Sequence, residues 1–215
     1  MYKIFKDVSY KLLQEGENFE IRGIEYDSRK IEKDFVFVAM TGSAVDGHDF
    51  IQKAIDSGAK MIICERDVNA KEYRNANFVT FVQVEDIRKK LGIIASNYYD
   101  YPQNKIKIVG ITGTKGKTTT SFMVKQLLEK QGLKVGLLGT IAVYIGDKKL
   151  EDSDRTTPDS VKLQSIFAKM ANEKCDVVVM EVSSQSLKLH RVDGSDFDIG
   201  VFTNLSEDHI SKNEH

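Results

Sequence analysis

The sequence predicts an α/β protein of two units, each built on a largely parallel sheet. Three observations carry that prediction. Short apolar runs rich in β-branched residues alternate with stretches whose apolar residues recur at helical spacing. A β-branched run, Lys107 to Thr112, leads directly into the glycine loop Gly113-Thr114-Lys115-Gly116-Lys117-Thr118-Thr119, and a helical pattern follows it. The 215 residues, 41% hydrophobic and 29% charged, suffice for two modest domains with real cores.

The first unit is expected over 1–103. Val8 to Leu13 reads as a short amphipathic segment, and Phe19 to Tyr26 alternates like a half-buried strand. Val36 to Met40 is a continuous apolar run, so a strand buried on both faces is expected. His48 to Ser57 reads as a helix stopped by Gly58. Met61 to Cys64 and Phe78 to Val84 predict two more strands, and Glu85 to Tyr98 a closing helix. The polar, aromatic stretch Asn97 to Asn104 contains Pro102, which ends the helix and marks the boundary.

The second unit is expected over 104–215. After the glycine loop, Ser121 to Gln131 continues a helix capped by Gly132, and Val135 to Leu138 is the next strand. Ile141 to Leu150, with Gly146-Asp147 at its middle, reads as a hairpin. A helix opens at a threonine or at Pro158 and carries Val161, Leu163, Ile166, Phe167 and Met170 inward. Val177 to Val182 predicts a central strand and Ile199 to Phe202 the last one. Ligands of open parallel sheets bind beyond the carboxyl ends of the strands. The glycine loop, Glu181 to Ser184 and Asn204 to His209 all fall there.

The loop has the residue types that cradle phosphate. Glycines let backbone N–H groups point inward, the helix N-terminus adds partial positive charge, Lys117 adds a full one, and Thr118 offers a hydroxyl to Mg²⁺. It is the short form G-x-x-G-K-T, with Ile111 where the longer loop has its first glycine. Glu181 follows Val177-Val178-Val179-Met180, and a carboxylate ending a buried strand must be paired or bind a cation. The net charge of −1 gives no global field to recruit nucleic acid or membrane. Cys64 and Cys175 read as strand-end core residues rather than a disulfide or metal pair. No apolar run is long enough to cross a membrane and the N-terminus has no signal-peptide pattern, so a cytoplasmic location is expected.

These motifs together resemble the Mur ligases, ATP-dependent enzymes that add amino acids to the UDP-linked peptidoglycan precursor. The branch that adds the third residue of the stem peptide matches best. The motifs are Asp27-Ser28-Arg29 with Val36 to Ala39 and Asp46 to Phe50, the glycine loop with Lys115 in the family's Asn slot, Thr156-Thr157-Pro158, Glu181-Val182-Ser183-Ser184 running to His190-Arg191, and Phe202 to His209. There are departures. Asp34-Phe35 stands where the family has Gly-Asp, so that turn is expected to differ. Gln185 replaces the usual His, and Ile210 to His215 departs from the family's continuation.

The resemblance implies a uridine-nucleotide-binding first domain followed by the first part of a P-loop ATPase domain, with ATP and Mg²⁺ as cofactors. It implies UDP-N-acetylmuramoyl-dipeptide and a free amino acid as substrates. Gly113, Thr114, Lys115, Gly116, Lys117, Thr118 and Thr119 would hold ATP, with Lys117 catalytic. Thr118, Glu181 and His209 would hold metal. Ser28, Thr156, Thr157, Ser183 and Arg191 would hold the UDP-substrate. Family members are longer, so an N-terminal fragment lacking the C-terminal, amino-acid-binding domain is expected. A folylpolyglutamate synthetase-like ligase shares the loop and the reaction type but should lack the first domain. A non-catalytic nucleotide- or UDP-sugar-binding fragment is the other alternative. Which amino acid is added and the oligomeric state are not readable from the sequence.

Overall fold

The computed structural model describes residues 2–42 and 45–207. The chain divides into two compact units, Met1–Tyr98 and Tyr99–His215, ahead of the expected 103/104. Pro102 opens a short 3-10 turn, Pro102–Lys105, within the second unit.

The first unit holds strands β1 (Lys11–Gln14), β2 (Gly23–Glu25) and β3 (Phe35–Ala39), helix α1 (Ile51–Asp56), strands β4 (Met61–Cys64) and β5 (Thr80–Gln83), and helix α2 (Ile87–Tyr98). The sheet order is β1-β5-β4-β3-β2. β2 to β5 are parallel, and β1 pairs antiparallel with β5. The runs with no polar residue, β3 and β4, sit centrally, as burial on both faces requires. Phe37, Ile62 and Phe81 are fully buried on one face with Ile51 and Ala54 of α1. Burying such a side chain contributes about 1.5–3 kcal/mol.

Three expectations shift here. The amphipathic segment Val8 to Leu13 becomes an edge strand, which its lack of clean alternation hid. The strand expected over Phe19 to Tyr26 shrinks to Gly23–Glu25. The helix expected from His48 begins as the 3-10 turn Gly47–Phe50, capped by the Asp46 side chain, before α1 takes over. At the departure Asp34-Phe35, Asp34 adopts φ 65, the left-handed region that Asp reaches more readily than most residues.

The second unit runs β6 (Lys107–Thr112), α3 (Lys117–Lys130), β7 (Val135–Leu138), β8 (Ala142–Ile145), β9 (Lys148–Asp152), α4 (Ser160–Asn172), β10 (Val177–Glu181), α5 (Ser184–Lys188) and β11 (Ile199–Phe202). Its sheet is ordered β11-β6-β10-β7-β8-β9. The first four strands are parallel, and the predicted hairpin β8–β9 adds two antiparallel ones. Side chains alternate between two cores. Val109, Ile111, Leu137 and Val179 meet Phe122, Val124 and Leu128 of α3. Ile108, Leu138, Val178 and Met180 meet Leu163, Ile166, Phe167 and Met170 of α4. The α4 cap is neither a threonine nor Pro158 but Asp159, whose side chain accepts from Lys162 N–H at 3.2 Å. Both cysteines are buried free thiols, Cys64 ending β4 and Cys175 preceding β10. No helix among the described residues is long and apolar enough to cross a membrane.

Candidate nucleotide and cation site

Four parallel strands end on one side of the second sheet and deliver the site. β6 ends at Thr112 and turns into the glycine loop. Gly113 has φ 134, and a Cβ there would overlap the Thr203 hydroxyl, so the position admits only glycine. Gly116 has φ 86, and no atom of the described residues lies within 4 Å of where its Cβ would be. The segment after β11 laces the loop from below. Asn204 O accepts from Thr114 N–H and Asn204 Oδ1 from Lys115 N–H, both at 3.0 Å. Lys115 O accepts from Thr203 Oγ1 at 2.8 Å and Asn204 Nδ2 at 3.0 Å. The loop conformation is therefore imposed by its neighbour strand.

Gly116 takes the N-cap position of α3 and brings no side-chain cap, so the first-turn N–H groups are left for a ligand. Lys117 curls over the loop, its Nζ donating to Gly113 O at 2.7 Å and Thr114 O at 3.1 Å. Its ammonium thus lies at the mouth of the cradle. Thr119, in the same turn, is exposed.

Beside it, β10 ends at Glu181, which is 1% exposed. Its Oε2 accepts from Thr118 Oγ1 at 2.9 Å and from Thr140 Oγ1 at 3.2 Å, and its Oε1 from Thr140 N–H at 3.1 Å. Among the described residues this carboxylate forms no ion pair, so the salt-bridge explanation for a buried acid does not apply. A buried carboxylate with only neutral donors suits a cation arriving with a ligand. Oxygen donors from one carboxylate and one hydroxyl, with phosphate oxygens and water to complete the shell, are what Mg²⁺ takes. Among the described residues no group of three or more His, Cys, Asp and Glu could hold a metal alone. His209, expected as a metal ligand, lies outside the described residues.

The threonine pair joins the same network. Thr157 Oγ1 donates to Glu181 O and accepts from Ser183 N–H, both at 3.0 Å. It is 1% exposed, so its hydroxyl braces the backbone after β10. Thr156 is only partly buried, and its hydroxyl lies 3.0 Å from that of Thr140. Ser183 caps α5, accepting from Ser186 N–H at 3.1 Å. Arg191 Nη1 donates to Thr157 O at 3.3 Å. Sequence reasoning missed Thr140, although Gly139-Thr140 directly follows β7 where ligand loops form. Gly139 lets the turn approach closely: a Cβ there would displace the Glu181 carboxylate.

The first unit has its own cavity, about 590 Å³, whose lining includes Tyr26, Ser28, the acidic Asp27 and three cations, Arg29, Lys53 and Arg88. Ser28 begins a 3-10 turn capped by Asp27. Arg29 returns a bidentate pair to Asp27, at 2.9 and 2.8 Å, and that hydrogen bonding pulls the Asp27 carboxyl down to about 2. His48 lies outside this lining. Its Nδ1 sits 2.6 Å from Asp46 Oδ1 while Nε2 accepts from Glu65 N–H at 3.2 Å. Both ring nitrogens are occupied, which makes His48 framework.

Comparison with known proteins adds a second line. The sequence pattern of the Mur ligase middle domain matches residues 111–214, and that of the Mur ligase family catalytic domain matches 20–99. The UDP-N-acetylmuramoyl-L-alanyl-D-glutamate–2,6-diaminopimelate ligase of Clostridium botulinum is 53% identical over 207 residues, 96% of this chain and 42% of that protein. The chain thus spans less than half the length of such relatives. A solved structure of a UDP-N-acetylmuramoyl-L-alanyl-D-glutamate–2,6-diaminopimelate ligase superposes with a TM-score of 0.74 at 28% identity, covering 90% of this chain and 38% of that one. The MurF ligase of Thermotoga maritima, solved in complex with ADP, superposes with a TM-score of 0.55 at 26% identity, over 85% of this chain and 37% of that one.

Proposed function

The chain belongs to the Mur ligase family, and from that premise we propose that it forms the UDP-substrate-binding and ATP-binding regions of an ADP-forming ligase. That ligase joins 2,6-diaminopimelate to UDP-N-acetylmuramoyl-L-alanyl-D-glutamate in peptidoglycan synthesis, a cytoplasmic step. The observation that carries the proposal is Glu181, buried with no ion pair among the described residues and accepting from the Thr118 hydroxyl beside the glycine loop.

In this reading the backbone of Gly113 to Thr119, Lys115 included, cradles the ATP phosphates. Lys117 leaves Gly113 O and Thr114 O to neutralise charge on them as the γ-phosphoryl group moves. Thr118 and Glu181 hold Mg²⁺, which when bound screens the phosphate charge. The phosphoryl group passes to the free carboxylate of the D-glutamate and ADP is released. The acyl phosphate so formed has a good leaving group, where the carboxylate had none. The diaminopimelate amine attacks the carbonyl carbon, loses a proton, and inorganic phosphate departs. Thr156, Ser183 and Arg191 position the acceptor with Thr157 bracing them, so the protein's contribution is orientation and charge neutralisation. Ser28 and the cations around the first-unit cavity take the uridine diphosphate end.

Isothermal titration of UDP-N-acetylmuramoyl-L-alanyl-D-glutamate into the 215-residue chain tests the reading. Saturable one-to-one binding, weakened about tenfold or more when Arg88 is changed to Ala, is expected. Absence of binding would count against the substrate assignment.

A further inference from the structure

We infer that Thr140 is a positioning residue for the cation site, holding the Glu181 carboxylate in the orientation that receives the metal. The inference rests on the nucleotide–cation reading above and extends it to a residue outside the glycine loop and β10.

Among the described residues, Thr140 supplies two of the three hydrogen bonds that the carboxylate receives: its N–H to Oε1 and its hydroxyl to Oε2. The third comes from Thr118 Oγ1. A carboxylate is acceptor-only, with about four lone-pair sites. Three donors fix its rotation and leave room for one further partner. The same chemistry sets the direction of the chain of hydroxyls. Thr140 must give its proton to Glu181, so the 3.0 Å contact between Thr140 and Thr156 is made by Thr156 donating to Thr140. Thr118 likewise gives its proton to Glu181 and keeps its lone pairs for a cation. Two arms of donors thus converge on Glu181: Thr156 through Thr140 from the threonine pair, and Thr118 from the first turn of α3.

Backbone geometry makes the clamp specific. Gly139 lets the turn after β7 press against Glu181 Oε1, and Ser153 Oγ ties Gly139 O at 2.6 Å. Thr140 is exposed while the carboxylate it holds is buried. It adds little to the core, so a role in orienting Glu181 explains its two bonds better than packing does.

The test is titration of ADP, with and without Mg²⁺, into the 215-residue chain as wild type, Thr140→Val and Thr140→Ser. Loss of groups that orient a metal ligand typically lowers metal affinity about 10–100-fold. Thr140→Val should therefore lose about tenfold or more of the Mg²⁺-dependent gain in ADP affinity, with metal-free ADP affinity unchanged. Thr140→Ser should retain the gain. Full retention of the gain by Thr140→Val would overturn the inference, as would an equal loss in Thr140→Ser. A drop in metal-free ADP affinity in Thr140→Val would also overturn it, marking general damage to the loop. A wild-type chain that binds ADP with no Mg²⁺ dependence, or not at all, would instead defeat the underlying nucleotide–cation reading.

Discussion

Glu181 illustrates what a single residue reveals. It was legible because a carboxylate ending an apolar strand has few explanations, and the structure removes one of them by giving it no cationic neighbour among the described residues. Thr140 was illegible because a threonine after a strand is common, and its significance lies only in the carboxylate it meets across the sheet. Thr157 stood out in the sequence only as part of Thr156-Thr157-Pro158, a candidate substrate contact. Its hydroxyl is spent on Glu181 O and Ser183 N–H, long-range partners that no spacing announces. The cysteines yield a prediction at this scale. Burial pushes the Cys64 thiol up to about 12 and also raises that of Cys175. The neutral thiol is therefore the form in the fold at pH 7–8, and the thiolate is the reactive one. Ellman's reagent should label neither cysteine in the native chain and both in denaturant; rapid native labelling would contradict their burial.

Elements follow from local pattern where one face is clearly apolar, and fail where tertiary partners decide. β3, β4 and β10 were readable as uninterrupted apolar runs. β1 was not, because its pairing with β5 includes a register shift between Leu12 and Gln14 that breaks the alternation. The first turn of α3 was readable from its glycines, whereas the lacing of the loop by Thr203 and Asn204 depends on β11 lying beside β6. Two predictions belong here. Asp159→Ala removes the α4 cap and should destabilise the chain by about 1 kcal/mol, measured by urea unfolding; an unchanged midpoint would mean that Asp159 does not cap. The Asp27 turn is acid-sensitive. The folded carboxyl lies at about 2 against an ordinary 3.8, so its contribution is complete above the ordinary value. That contribution fades as pH falls from about 4 toward 2. Asp27→Asn should flatten that part of the acid unfolding profile, and an identical profile would show that the turn contributes nothing.

At the scale of the whole molecule, strand–helix alternation gave two α/β units with largely parallel sheets, and the structure has them. The division falls between Tyr98 and Tyr99 rather than at 103/104 because the turn at Pro102 belongs to the second unit. Only the resemblance carried by five spaced motifs pointed to a particular chemistry, and the matches over 20–99 and 111–214 support it. With under half the length of its relatives in hand, the chain's own testable claim is binding. The most direct measurement is calorimetric titration of ADP with Mg²⁺ into the wild-type chain beside Lys117→Ala. One nucleotide per chain is expected in the wild type, with a loss of about tenfold or more in affinity in the variant, as removal of a charged partner from phosphate implies. Equal affinity in the two, or no binding by the wild type, would contradict that claim.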